Sequence, residues 1–151
     1  MIEIGKITPR SFGPAVDNLD DQRVNTSMSY DRTSPEGKRV IAKNLHVDYG
    51  DTQLPLAVMY FPEEEIVRIV QFPYSGPSFF LSEKLVEELN IWTGRQSPRT
   101  GFQLYRDPNG YLALVLEKAT TERSGYDLKD WIRDVVNFGP LLAARIDQVT
   151  K

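Results

Sequence analysis

The sequence predicts an α+β fold, with a single antiparallel sheet of about five to six strands and helices packed on one face. Three observations lead to this prediction. The first half of the chain has several short runs rich in β-branched and aromatic residues, separated by proline and glycine. A tight turn follows at Asp107–Gly110, and the segments before and after this hairpin carry apolar residues at helical spacing.

The hairpin is the clearest local signal. Its turn reads Asp-Pro-Asn-Gly, which puts a hydrogen-bond acceptor first, a proline of fixed φ second and a glycine last. Residues 102–106 enter the turn and residues 111–116 leave it, so the two runs form an antiparallel pair. The outgoing run is apolar on both faces, which predicts a central strand. One face takes the helices, and the other needs a second cover from this chain or from a partner.

Four more strands are expected ahead of the first confident helix. Residues 24–30 alternate between apolar and polar, residues 39–49 alternate less regularly and fit a strand with a bulge, and two apolar runs follow at 56–61 and 66–72. Prolines, including Pro55, lie at the ends of these last two runs. They are tolerated there because a residue at the end of a strand need not donate to the hydrogen-bond ladder. Sequential strands with short links usually pair as neighbours, so we expect a meander.

Two helices follow from apolar stripes. The first begins after Ser82, a suitable N-cap, and is expected to end at Gly94. The second begins after Asp127, and its stripe stays in phase on both sides of Pro140. We therefore favour one helix kinked at Gly139-Pro140, with two separate helices as the alternative. The stripes of the two helices are Leu81, Leu85, Leu89 and Trp92, and Leu128, Trp131, Ile132, Val135, Leu142, Ile146 and Val149.

The domain organisation is simple. Residues 1–23 have weak periodicity, so we expect a loosely structured arm. Within it we expect a short helix over Ala15 to Leu19, because Pro14 is suited to the first turn of a helix. Residues 24–151 are expected to form one α+β domain, because a chain of 151 residues can bury a single sizeable core.

Composition excludes several classes of function. The net charge of -3 argues against general nucleic-acid binding, which requires a basic face. The chain contains no cysteine, which excludes disulfides, thiolate catalysis and cysteine-ligated metals. The first residues lack the pattern of a signal peptide, and no apolar run is long enough for a membrane span. We expect a cytoplasmic protein that uses no cofactor.

Candidate chemistry is sparse. His46 and Asp48 are two residues apart, so on a strand they share a face, which could orient an imidazole or hold a metal. No third ligand or nucleophile is near them in the sequence, and an ordinary surface pair is the preferred interpretation. Gly-rich phosphate loops and a nucleophile elbow are absent from the sequence. We therefore predict that the protein is not an enzyme.

Partner binding is better supported than catalysis. Aromatic and aliphatic residues on the strands exceed what one covered sheet face can bury, so a remaining apolar patch would form a dimer or dock a peptide. Three arginines also lie close in sequence around the end of one helix and the next strand. The candidate partner-binding residues are Tyr60, Trp92, Arg95, Arg99, Tyr105 and Arg106.

The order of strands, helix, hairpin and long helix resembles the YbjN family, whose fold is similar to that of type III secretion chaperones. The resemblance rests on residues 89–92 (Leu-Asn-Ile-Trp), residues 98–106 entering the hairpin, residues 107–116 through its turn, and residues 125–128 (Gly-Tyr-Asp-Leu). It covers about half of the chain. It implies a bacterial, non-enzymatic module that binds peptides or proteins, often as a homodimer, and it carries over no catalytic residue.

The sequence thus predicts a cytoplasmic protein- or peptide-binding module, chaperone-like or regulatory. The alternative is a small-ligand-binding domain or modest hydrolase, with a pocket between the sheet and the final helix and with His46 and Asp48 or Arg95 at its mouth. An accessory protein of a phage or of a secretion system, recognised only by its partner, is a third hypothesis.

Overall fold

A computed structural model describes residues 7–50, 52–72, 81–98, 100–106, 111–121 and 128–150. Six strands form one antiparallel sheet in the order β1-β2-β3-β4-β6-β5, and the helices cover one of its faces. This confirms the predicted fold class. In chain order the elements are α1 (Pro9–Asp17), β1 (Val24–Thr33), β2 (Arg39–Tyr49), β3 (Thr52–Phe61), β4 (Ile66–Gln71), α2 (Glu83–Gln96), β5 (Gln103–Arg106), β6 (Leu112–Ala119) and α3 (Leu128–Thr150).

The first four strands form the expected meander, but the bulge lies in β1 rather than β2. Thr26 pairs with Leu45 whereas Met28 pairs with Asn44, so one residue of β1 is extra. A bulge moves the residues after it to the opposite face. Thr26 therefore faces the helices while Met28 and Tyr30 face away from them, although plain alternation would put all of these side chains together.

Strand β3 begins earlier than predicted and runs through Pro55, which pairs with His46 on β2. On its other side, the ladder between β3 and β4 starts only at Leu56, opposite Gln71. Among the described residues, no strand pairs with Pro55 on that side, so the proline interrupts no hydrogen-bond ladder there. The strand boundary predicted at this proline was wrong because the neighbouring strand, and not the proline, ends the ladder.

The hairpin strands add to the edge of the meander, with β6 between β4 and β5. This confirms the prediction that the outgoing strand is central. Its Leu112, Leu114 and Leu116 are fully buried on the helix-covered face. The predicted turn at Asp107–Gly110 lies outside the described residues.

Helix α1 lies inside the segment for which we expected a loose arm, and it starts at Pro9 instead of near Ala15. A capping box explains this start: Ser11 N–H donates to Thr8 Oγ1 at 3.1 Å, and Thr8 N–H donates to Ser11 Oγ at 2.8 Å. The helix belongs to the hydrophobic core, since Phe12 is 0% exposed and Val16 is also buried.

Helix α2 starts after Ser82 as predicted, with the Ser82 hydroxyl accepting from the Leu85 N–H. It continues past Gly94 to Gln96, so the expected stop at the glycine was wrong. Glycine is required at a helix end only where φ is positive, and Gly94 does not have a positive φ.

Helix α3 is one continuous helix through Pro140, which agrees with the favoured prediction of a single helix. Proline has no N–H, so the carbonyl of Val136, four residues earlier, loses its helical donor. The Tyr49 hydroxyl donates to this carbonyl at 2.8 Å and accepts from Gln71 Nε2 at 2.7 Å. Gly139 leaves room for this arrangement, because a Cβ there would lie 2.9 Å from the Tyr49 hydroxyl oxygen. The predicted cap Asp127 lies outside the described residues.

The core lies between the sheet and the helices. The stripe residues of α3 from Leu128 to Ile146 are buried there, and Val149 is partly buried. Among the described residues, no helix combines the length and the apolar character that a membrane crossing needs.

Candidate functional site

The face of the sheet opposite the helices is the main candidate. All three helices bury their apolar residues against the other face, so none of the described helices lies on this one, which we call the open face. The pairing registers place one continuous row of side chains across all six strands of the open face. In strand order the row consists of Met28, Asn44, Ala57, Val70, Val115 and Gln103.

A second row lies beside the first, and it is displaced from it by two residues along each strand. Together the two rows contain no aspartate, glutamate, lysine or arginine, and we call them the uncharged band. Its outer ends are well exposed, with Met28 at 60% and Tyr105 at 52%. The second row consists of Asn25, His46, Pro55, Phe72, Ala113 and Tyr105.

Small residues at the centre of the band leave a depression between larger ones. A cleft of about 350 Å³ lies there, lined by Met28, His46, Pro55, Ala57 and Phe72 among others. Its lining is mainly apolar, because apolar residues outnumber the polar Asn44 and His46 in it. The bulge in β1 positions Met28 at the edge of this cleft by turning it onto the open face.

The remaining part of the open face, closer to the other end of the strands, differs from the band. Arg68 lies 5.0 Å over the Phe61 ring and pairs with Glu117 at 3.1 Å. Arg32 lies 4.9 Å over the Tyr30 ring. These long side chains cover the aromatic rings while their charged ends stay in water. The charged half of the open face is therefore covered by its own arginines, whereas none of the described arginines or helices covers the uncharged band.

The two edges of the sheet also differ. At the β5 edge, the backbone N–H of Leu104 donates to Asn90 Oδ1 of α2 at 3.0 Å. A side chain on that amide blocks the addition of another strand. The long β1 edge has no such cap in the described part of the chain, but its bulge disrupts a regular ladder. Neither edge is as well suited to a partner as the uncharged band.

The structure does not bring the predicted partner-binding residues together. Tyr60 is 4% exposed on the helix-covered face, where its ring lies 5.6 Å from Phe12 and its hydroxyl donates to the Ile7 carbonyl. Burial, followed by the charges of nearby glutamates, raises the pKa of this hydroxyl. In this position Tyr60 contributes to the core and not to the surface.

Trp92 is half-buried between α2 and α3, with its ring 5.9 Å from Phe138. Tyr105 and Arg106 are both exposed but point to opposite faces of β5, so only Tyr105 lies on the open face. Arg95 is exposed in the last turn of α2, and Arg99 lies outside the described residues. Tyr105 is thus the only one of the six candidates that the structure places in the uncharged band.

His46 and Asp48 share the open face, as their spacing predicts, and His46 is exposed at the cleft. The cleft beside His46 lies on the side of the sheet away from α3, whereas our alternative hypothesis expected a pocket between the sheet and that helix. Within the described ranges, no three histidine, aspartate or glutamate side chains are grouped closely enough to hold a metal ion.

Sequence reasoning missed the residues at the centre of the band. Ala57, Val70 and Val115 are small or aliphatic, whereas the prediction selected aromatic residues and arginines. A signal for them was present, because β6 is apolar on both faces and β4 carries Ile66 and Val70 on the open one. A strand of that kind implies a second apolar sheet face.

Comparisons of the chain with protein-family models, with curated proteins and with solved structures found no match.

Proposed function

We propose that this protein is a non-enzymatic binding module, chaperone-like or regulatory, whose partner is another protein or a peptide. The observation that carries the proposal is the uncharged band on the open face. It crosses all six strands and includes large apolar side chains at 60% and 52% exposure. The band also contains polar side chains, among them those of Asn44, His46 and Gln103, and the exposed apolar surface between them favours an interaction site, because a partner that covers it gains roughly 25 cal/mol per Å² of apolar area.

The resemblance to the YbjN family agrees with this proposal, since it implies a module of the same class. The cytoplasmic location and the absence of nucleic-acid binding remain predictions from the sequence. The homodimer that the resemblance implies remains a prediction, and if it forms through the open face, the partner is a second copy of the chain.

Co-purification with single-residue variants tests the proposal. Val70→Asp puts a charge at the centre of the uncharged band, while Leu141→Asp puts the same charge on α3, where Leu141 is 60% exposed. A specific protein retained from native lysate by the wild type and by Leu141→Asp should be lost with Val70→Asp. Identical retained proteins for all three chains would contradict the proposal.

Light scattering over a wide concentration range separates a second copy from a different partner. A dimer that dissociates in Val70→Asp but not in Leu141→Asp would identify a second copy as the partner. A monomer at all concentrations would restrict the proposal to other proteins and peptides.

The cleft supports a second candidate function, the binding of a small apolar ligand. Its volume of about 350 Å³ lies at the lower end of ligand-binding pockets. His46 would supply the polar contact at its mouth. Binding of an apolar fluorescent dye that weakens with Ala57→Leu, which fills the cleft, and with His46→Ala would favour this candidate. Unchanged dye binding in both variants would exclude it.

A further inference from the structure

The dimensions of the uncharged band restrict what can occupy it. The sheet has six strands, and neighbouring strands lie about 4.8 Å apart, so the band is about 24 Å long. The two rows are separated by two residues along each strand, which is about 7 Å. The band is therefore long across the strands and narrow along them.

An extended peptide is a poor occupant of this surface. The backbone groups of the central strands are already used in the ladders between β2, β3, β4 and β6. A peptide lying flat on the face would bury its own N–H and C=O groups without partners, and each such group is costly. A helix pairs these groups within itself, so it avoids that cost.

A second sheet is also a poor occupant. Two sheets packed face to face cover each other over most of their surface. Such packing would remove the Arg68–Glu117 pair and Arg32 from water, along with the uncharged band. Burying these charges costs free energy that apolar contacts in the band must first offset. A single helix along the band leaves them in water.

Building on the proposed function, we propose that the partner segment is one amphipathic helix of about 16 residues that lies along the uncharged band, across the strands. At 1.5 Å per residue a helix of this length spans about 24 Å, and its diameter of about 10 Å covers the two rows. Its apolar side chains lie at spacings of three and four residues. The largest of them enters the cleft beside Ala57.

The charges beside the band indicate the polar flank of this helix. On the side of the band beyond its first row, the open face carries Arg32 and Arg68 against one carboxylate, Glu117, which already pairs with Arg68. The other side carries Asp48, two residues from His46. Arg32 has no carboxylate partner among the described residues. Acidic residues on the flank of the helix that faces these arginines complement this excess positive charge.

Two designed peptides test the inference directly. Both have 16 residues and the same composition, with leucine as the apolar residue and glutamate on one flank. The first peptide places leucine at helical spacing, and the second places it at every other position. The protein lacks cysteine, so Tyr105→Cys provides a unique labelling site at the exposed end of the band, away from the cleft, and Leu141→Cys a matched site on α3.

A fluorophore on the band site should respond to the helical peptide at concentrations at least tenfold lower than to the alternating peptide. The fluorophore on α3 should respond to neither. In fluorescence anisotropy with labelled peptide, Val70→Asp should weaken binding of the helical peptide at least tenfold, and Leu141→Asp less than twofold. If Val70→Asp does not fold by circular dichroism, Ala57→Gln replaces it, since this half-exposed position tolerates a polar side chain.

The inference would be overturned if the alternating peptide bound as tightly as the helical peptide or more tightly. It would also be overturned if the variant in the band, Val70→Asp or its replacement Ala57→Gln, bound the helical peptide as tightly as the wild type. A benzophenone crosslinker on the band site then shows whether only the helical partner is wrong or the proposed binding function is wrong as well. Crosslinks that map to an amphipathic helix of a partner support the inference. Crosslinks to an alternating segment or to the open face of a second copy overturn it and leave the binding function in place, and the absence of any crosslink contradicts both.

Discussion

Replacing Tyr49 with phenylalanine removes one oxygen atom from the space between the sheet and α3, and it should cost about 2 to 4 kcal/mol of unfolding free energy. That oxygen makes both bonds of a small polar cluster, donating to the Val136 carbonyl and accepting from Gln71 Nε2. Each bond contributes about 1 kcal/mol, and the fully buried Gln71 amide adds a desolvation penalty when its acceptor is removed.

The magnitude depends on Pro140. The Val136 carbonyl needs Tyr49 only because Pro140 has no N–H to offer four residues later. Pro140→Ala supplies that N–H, so Tyr49→Phe should cost about 1 to 2 kcal/mol less in the alanine background than in the wild type. Tyr105→Phe is the matched control: this tyrosine is 52% exposed, so its change should stay within about 0.5 kcal/mol.

Urea unfolding followed by circular dichroism gives the free energy of all these variants, and calorimetry gives the melting temperature. For a domain of this size the loss in Tyr49→Phe corresponds to a fall of roughly 5 to 12 °C. Two results would refute the reasoning. One is a cost in Tyr49→Phe no larger than in Tyr105→Phe. The other is the same cost in the proline and alanine backgrounds, which would mean that Tyr49 does not replace the missing helical donor.

Three further predictions concern single positions. Trp131→Ala should destabilise the protein by about 3 to 5 kcal/mol in urea unfolding, because this side chain is 4% exposed in the core; an unchanged melting temperature would show that it does not contribute. Asn90→Ala should cost about 1 kcal/mol and speed hydrogen exchange at the Leu104 amide, while exchange in the central β6 stays slow. Burial, and then the charge of Asp130, raise the pKa of Asp134, so its ionisation costs stability as pH rises through that raised pKa. Asp134→Asn should therefore increase the melting temperature at about pH 7 and not at about pH 3, and an equal effect at both values would contradict this assignment.

The elements that could be predicted from the sequence are those whose signal is local. The apolar run of β6, the stripe of α3 and the cap at Ser82 are each recognised from residues that lie close together in the sequence. The in-phase stripe around Pro140 was enough to favour a single helix. What the sequence did not show is the Tyr49 hydroxyl that replaces the missing donor, because Tyr49 lies 87 residues from Val136.

The errors have a common cause in contacts between distant residues. The β1 bulge is defined by pairing with β2, and it reverses the face on which Met28 lies. Pro55 looked like a strand boundary because its ladder partners, and the end of β4 beside it, are not visible in a single sequence. Tyr60 was predicted to be a binding residue because the sequence does not show on which face of the sheet an aromatic side chain lies. In the structure Tyr60 is buried under α1.

Local patterns in the sequence are sufficient to predict the α+β class, the central position of the hairpin's second strand and the excess of apolar residues on two strand faces. These follow from periodicity, since side chains alternate along a strand and repeat every 3.6 residues along a helix. Which face the helices cover is visible only in the folded protein. There Ala57, Val70 and Val115 lie on the open face, and Tyr60 does not. Alternation divides each strand into two faces, but the choice between them depends on pairing register and helix packing, which arise only when distant segments meet.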